Sequence, residues 1–192
     1  MGALTDILAA RGVHLVEKRH GFTENALPLN PWQPWLDRKL DAVKGAIIHH
    51  TAGVAWATSE GINKMHQGLI SESWPYGWPG MAYTFYVHHD YEQQPDLPVV
   101  TDFDHRLRDW GPQCGGLNAE TFGVALGGNF VPSKGPPSEA MVMELVRLMR
   151  GLQEFFVQEV GHSLYIKPHF FVSSTQCPGL AWDKYLAAIG CG

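Results

Sequence analysis

No apolar run in the chain approaches the roughly 18 residues that a membrane-crossing helix needs. Residues 1–10 carry Asp6 and lack both a basic start and a long apolar stretch, so they do not read as a secretory signal peptide. Cysteine is scarce: Cys114, Cys177 and Cys191 cannot build a disulfide framework, and at least one is left free or bound to something else. Positive charge is scarce too. Fourteen Lys and Arg stand against 19 Asp and Glu, a net charge of −5, which excludes a general nucleic-acid binder because that function needs a basic face. Charged residues are 17% of the chain, below the usual figure of about 25%. There is no internal repeat and no low-complexity tract.

Hydrophobic residues make up 45% of 192, enough for one core. Glycine (21) and proline (13) point to a folded, loop-rich chain. Ten histidines and seven tryptophans exceed what a plain core needs, and hint at a metal site and a flat stacking surface.

The periodicity predicts a short helix over 3–11, stopped by Gly12, and an ordered Trp/Pro-rich arm over 20–38. The domain division expected is an arm over 1–40, packed on or extending a compact domain over 41–192. Gly45 to His50 reads as a buried strand delivering histidines at its C-terminal end. A helix over 57–70, capped by Thr58 or Ser59, precedes a Trp/Pro/Gly loop over 71–80. Strands are expected over 81–88 and 121–126. The clearest helix covers 138–160, capped by Ser138, with Glu139, Glu144, Glu154 and Glu159 on a solvated face. A last helix begins at Pro178 and runs to 188. Strands alternating with helices give an α/β or α+β layered fold.

His169 and Cys177 lie eight residues apart, and His49 and His50 end a strand. Histidine nitrogen and cysteine sulfur are zinc ligands, and a catalytic zinc keeps one position open. Spacing alone leaves either histidine of the pair, or none, as the partner.

The order of motifs narrows this. Ile47-Ile48-His49-His50-Thr51-Ala52-Gly53 comes first, then Tyr83-Thr84-Phe85, then Gly123 to Phe130 (GVALGGNF), then His169 with Thr175-Gln176-Cys177-Pro178-Gly179. Over about residues 44–190 the chain resembles the zinc-dependent N-acetylmuramoyl-L-alanine amidases, a family that includes phage lysins and the peptidoglycan recognition proteins. The resemblance implies an α/β fold, with a central mixed β-sheet flanked by helices and a zinc ion in a groove on one face. It implies His49, His169 and Cys177 as ligands, with water fourth. His50, on the opposite face of its strand, is then a packed or hydrogen-bonded residue.

The resemblance also implies that Tyr83 orients the water or bonds the developing oxyanion. Thr175 stands where lysozyme-type members have lysine and many recognition proteins have threonine, so it offers a hydroxyl without charge. Gln113 replaces the histidine of an H-x-x-G-x-N segment, which in the resembling family serves the substrate groove or its packing, so substrate grip at that edge is left in question. Cys114 is expected to be an inert thiol, and Cys191 a bystander. Trp56, Trp74, Trp78 and Asn129, with Tyr76 nearby, are expected to border the groove. His88, His89 and Asp90 are expected to be solvated turn residues.

The function expected is therefore hydrolysis of the amide between N-acetylmuramic acid and L-alanine in bacterial peptidoglycan, by a monomeric enzyme with one zinc ion. No nucleic acid and no membrane span enter this reading. A phage-type endolysin fits it, made in the host cytoplasm and released to the wall by a holin-type protein. The competing expectation is a non-catalytic peptidoglycan-binding module of the same fold.

Overall fold

The computed structural model describes residues 2–18, 38–68, 78, 80–90, 98–104, 106–109, 111–179 and 189. Six strands form one sheet: β1 (Leu15–Glu17), β2 (Gly45–His50), β3 (Phe85–His89), β4 (Val99–Phe103), β5 (Thr121–Leu126) and β6 (Tyr165–Pro168). Their spatial order is β1-β4-β3-β5-β2-β6. The β2/β5, β2/β6, β3/β5 and β1/β4 pairs are parallel, and β3/β4 is antiparallel, so the sheet is mixed. With its flanking helices this is the α/β fold expected. Every residue of β2 and of β5 is buried, as befits central strands covered on both faces.

One face packs on α3 (Glu139–Phe155), which lies alongside α1 (Gly2–Ala10). Ala46, Ile48, Phe85, Val87, Phe122 and Val124 point there and meet Leu145, Leu148, Met149 and Leu152. Burying one such side chain contributes about 1.5–3 kcal/mol. Gly151 lets α1 close in, because a Cβ there would stand 2.6 Å from Leu8. Ser138 caps α3 by accepting the Met141 N–H at 3.2 Å. The helix continues into one π turn, Phe156–Val160, which the left-handed Gly161 ends at φ 87°.

The opposite face carries Ile47 and His49 of β2, Ala125 of β5 and Tyr86 of β3, under α2 (Ser59–Gln67). Thr58 is the α2 cap, accepting from Gly61 at 3.1 Å.

Several expectations change. The third strand starts at Phe85, four residues later than expected. The Ala82 N–H is taken by His66 Nδ1 at 3.0 Å, and pairing with β5 begins only at Thr84, bonded to Gly123 O. Strands β1 and β6, of three and four residues, are too short for periodicity to reveal, and β4, as long as β3, is likewise not among the expected strands. Glu144 is not on a solvated face. It is buried, and its Oε1 accepts the His14 N–H at 2.7 Å and the Thr101 hydroxyl at 3.1 Å, tying α3 to β4 and to the chain entering β1. His88 is also buried, in β3, its Nε2 3.0 Å from Asp102 Oδ2. The strand alternation puts it under the cavity beside Trp56 and not in a solvated turn. The arm over 20–37, Trp74, Tyr76, residues 180–188 and Cys191 lie outside the described residues, but Pro178 and Gly179 are described and do not open a helix: they stand in a turn, with Gly179 left-handed at φ 101°.

Asp104, just after β4, is buried. Its carboxyl is pushed up to about 8 by burial first, then by Asp102 and Glu60, against an opposing Lys18. Between the ordinary carboxylate range near 3.8 and about 8, the folded chain holds a proton that the unfolded chain has released. Stability from this group therefore falls as pH rises across that window. Asp104→Asn removes the effect. Its melting temperature relative to the parent is expected to rise from pH 5 to pH 8, by the equivalent of about 1 kcal/mol or more. An unchanged difference between the two pH values would contradict this.

Candidate metal centre

The ligand candidates are delivered by two neighbouring parallel strands. Ile48 of β2 is in register with Pro168 of β6, so His49 and His169 follow side by side at the carboxyl ends of both strands. Open α/β sheets hold their ligands at this end. His49 is on the α2 face and almost wholly buried. His169 opens a short 3-10 turn and is half-buried, its ring centroid 4.4 Å from that of His49. Cys177 is folded back over both by the loop after that turn. Its Sγ lies 3.7 Å from His49 Nδ1 and accepts the His50 N–H at 3.3 Å.

That loop is held by two features. The Cys177 N–H is accepted by Thr175 Oγ1 at 3.2 Å, and Phe170 N donates to Cys177 O at 2.8 Å. Gly179, at φ 101°, presses on the Phe130 backbone where any Cβ would collide. Only glycine permits both the left-handed backbone and the close approach.

The donor atoms of His49, His169 and Cys177 lie within 4.8 Å of one another. Among the described residues this is the one such cluster. Tetrahedral zinc with ordinary Zn–N and Zn–S lengths separates its nitrogen and sulfur ligands by about 3.6 Å. The 3.7 Å between His49 Nδ1 and Cys177 Sγ matches that spacing without rearrangement. Two imidazoles and a thiol suit zinc among the common divalent ions. Burial pushes His49 down to about 3, so its ring is neutral and offers a lone pair. Burial pushes the Cys177 thiol up to about 11, against the His50 N–H that favours the thiolate.

Tyr83 stands 5.2 Å from the His49 ring, centroid to centroid. Burial, then the neighbouring Cys177, raise its phenol above the ordinary tyrosine range, so it stays a hydrogen-bond donor. Gly123 makes room for it: a Cβ there would lie 3.1 Å from the Tyr83 ring and 3.0 Å from Gln113. His66 braces it from α2, with its ring 5.6 Å from Tyr83 and 4.9 Å from Trp78. Burial takes His66 down to about 4, so it is neutral and can accept the Ala82 N–H.

His50 points to the α3 face as expected, its Nδ1 accepting the Phe130 N–H at 3.0 Å. Thr175 is exposed beside the triad. Trp56 is 64% exposed in the loop before α2. Trp78 packs on His66, and Asn129 donates to Ala52 O at 3.4 Å. The cavity beside Trp56 is lined by Lys18, Glu60, His88 and Asp102 among others, and by none of the triad. Cys114 is buried and its thiol raised by that burial.

Gln113, whose role the sequence left open between the substrate groove and its packing, is buried beneath His49, with Oε1 2.8 Å from His49 Nε2. The one signal pointing to it was the departure from histidine in the H-x-x-G-x-N segment. His66 carried no signal beyond helical spacing.

Residues 39–180 match the model of the family Amidase_2, described as N-acetylmuramoyl-L-alanine amidase. The chain belongs to this family. None of the curated proteins matches it. Among solved structures, this amidase-family chain is similar to the endolysin N-acetylmuramoyl-L-alanine amidase LysCS from Clostridium intestinale URNW. The TM-score is 0.65 at 22% identity, over 93% of this chain and 96% of that one. It is similar to the Ph2119 endolysin from the Thermus scotoductus MAT2119 bacteriophage Ph2119, with TM-score 0.63 and 19% identity over 91% and 97% of the two chains. It is also similar to peptidoglycan recognition protein-LE in complex with tracheal cytotoxin, with TM-score 0.60 and 21% identity over 91% and 93%. At these identities the likeness bears on the fold. No described helix is long and apolar enough to cross a membrane.

Proposed function

We propose that this family member is a zinc-dependent hydrolase that cleaves the amide between N-acetylmuramic acid and L-alanine in bacterial peptidoglycan, as an endolysin. The observation that carries the reading is the triad of His49, His169 and Cys177, its donor atoms gathered within 4.8 Å of one another in a chain of this family. Zinc bound there supplies a Lewis acid for the scissile carbonyl and a water of near-neutral pKa.

The chain's own residues do the rest. Tyr83, kept as a phenol, donates a hydrogen bond to the oxygen on which charge develops. The Thr175 hydroxyl accepts the Cys177 N–H and keeps its own proton to donate, with no positive charge to add. Trp56, exposed in the loop before α2, offers a face for a sugar ring. Trp74, Trp78 and Asn129 complete the proposed groove. The similar endolysin structures, and the recognition protein in complex with a monomeric diaminopimelic acid-type peptidoglycan, favour a muropeptide as ligand. We take residues 41–192 as the catalytic domain of a monomer, with residues 1–40 extending it. We also take it to be made in the cytoplasm and to reach the wall by holin-type release.

The test is incubation with purified peptidoglycan, with and without a chelator. New N-terminal alanine without new reducing sugar ends, suppressed by the chelator, is the expected result. Neither product, with wall binding retained, would favour the non-catalytic binding module.

A further inference from the structure

The contacts beneath His49 form a directed chain of hydrogen bonds, and its direction can be worked out atom by atom. The Thr121 hydroxyl has one proton, and Leu117 O lies 2.8 Å away to receive it. Thr121 Oγ1 must then accept from its other neighbour, Gln113 Nε2, at 2.7 Å. The Gln113 amide can satisfy this in one orientation only, with its NH2 toward Thr121 and its Oε1 toward His49. Oε1 accepts and cannot donate, so the proton between it and His49 Nε2, 2.8 Å away, belongs to the histidine. His49 Nδ1 is left with its lone pair, facing Cys177 Sγ.

The chain is well anchored. Gln113, Thr121 and His49 are all buried, so water does not compete for these bonds. The turn that supplies Leu117 O is clamped by Arg38, which donates to Asn118 O at 2.6 Å and to Thr121 O at 2.7 Å. The reversed amide would break the Thr121–Leu117 bond. It would also place a proton on His49 Nδ1, where a metal must approach.

We propose that Gln113 is the positioning residue of the metal centre. Its side-chain carbonyl holds the proton of His49 on Nε2 and aims the Nδ1 lone pair at the metal. This rests on His49, His169 and Cys177 being the ligands, but not on which bond the enzyme cleaves. Partners of this kind on ligand histidines change metal affinity by about 10–100-fold.

The experiment has two readouts, neither of which is hydrolysis. The first is the long-range proton–nitrogen NMR spectrum of the metal-free parent protein. His49 is expected as the Nε2–H tautomer, and a His49 protonated on Nδ1 overturns the proposal whatever the variants do. The second is zinc affinity, by competition with a chromophoric chelator. Gln113→Met removes the acceptor and is expected to lower affinity about 10–100-fold. Gln113→Glu keeps an acceptor for His49 and is expected to stay within about threefold of the parent. Equal loss in both variants, in proteins that melt cooperatively, would mean Gln113 only fills space and would overturn the proposal. A parent that binds no zinc yet shows the Nε2–H tautomer would overturn the metal reading itself, and the tautomer separates the two failures.

Discussion

Replacing Cys177 by alanine is expected to remove metal and hydrolysis together. Structural zinc held by four protein ligands is worth about 12 kcal/mol, so one protein ligand carries about 3 kcal/mol, or roughly a hundredfold in affinity. The thiolate is the one anionic ligand, so its share should be at least that. The side chain also accepts the His50 N–H inside the sheet edge, and alanine leaves that donor without its sulfur. A modest loss of melting temperature should accompany the loss of metal. The decisive comparison is metal content after dialysis, by atomic absorption, against release of N-terminal alanine from peptidoglycan. Full zinc content in the variant would remove Cys177 from the ligand set. Zinc lost with activity retained would remove the metal from the reaction.

Tyr83→Phe separates binding from catalysis. The ring keeps its place between His49 and His66, so zinc content and stability should be those of the parent. What disappears is one preorganised donor toward a developing oxyanion. Such donors are worth about 2.7–4 kcal/mol, or a hundred- to a thousandfold in kcat. The loss should fall on kcat, with KM little changed, because the bond strengthens only as charge develops. Unchanged turnover in a zinc-loaded variant would exclude Tyr83 from the chemistry. A loss of zinc would show instead that the hydroxyl supports the site structurally.

Much of the centre was legible in the sequence because its parts are local signals. The apolar run from Gly45 with histidines at its end reads as a buried strand, and β2 occupies Gly45–His50. The strand over Thr121–Leu126 and the α3 cap at Ser138 were equally readable, since each depends on neighbours in sequence. What sequence could not reveal depends on distant partners. Glu144 fits a polar stripe on a helix, yet it is buried because His14 and Thr101, far along the chain, bring donors to it. His88 looks like part of a polar turn until Asp102 arrives on the adjacent antiparallel strand. Gln113 looks like a substitution at a substrate edge, because nothing in its own segment shows that His49 lies above it. The third strand began late for a similar reason: a histidine of α2 claims the backbone ahead of it.

The parallel pairing of β2 has a consequence for how the centre comes into being. Both neighbours of β2 come later in the chain, and β6 is the last of the six described strands. His49 and Cys177 meet across 128 residues. Contacts of such sequence separation form late and slowly, since a long loop must close before they give any return. A nascent chain therefore carries its first ligand long before its other two. Until β6 docks on β2 there is no pocket for the metal. The complete ligand set therefore exists only after β6 has docked on β2 and the loop carrying Cys177 has folded back over His49.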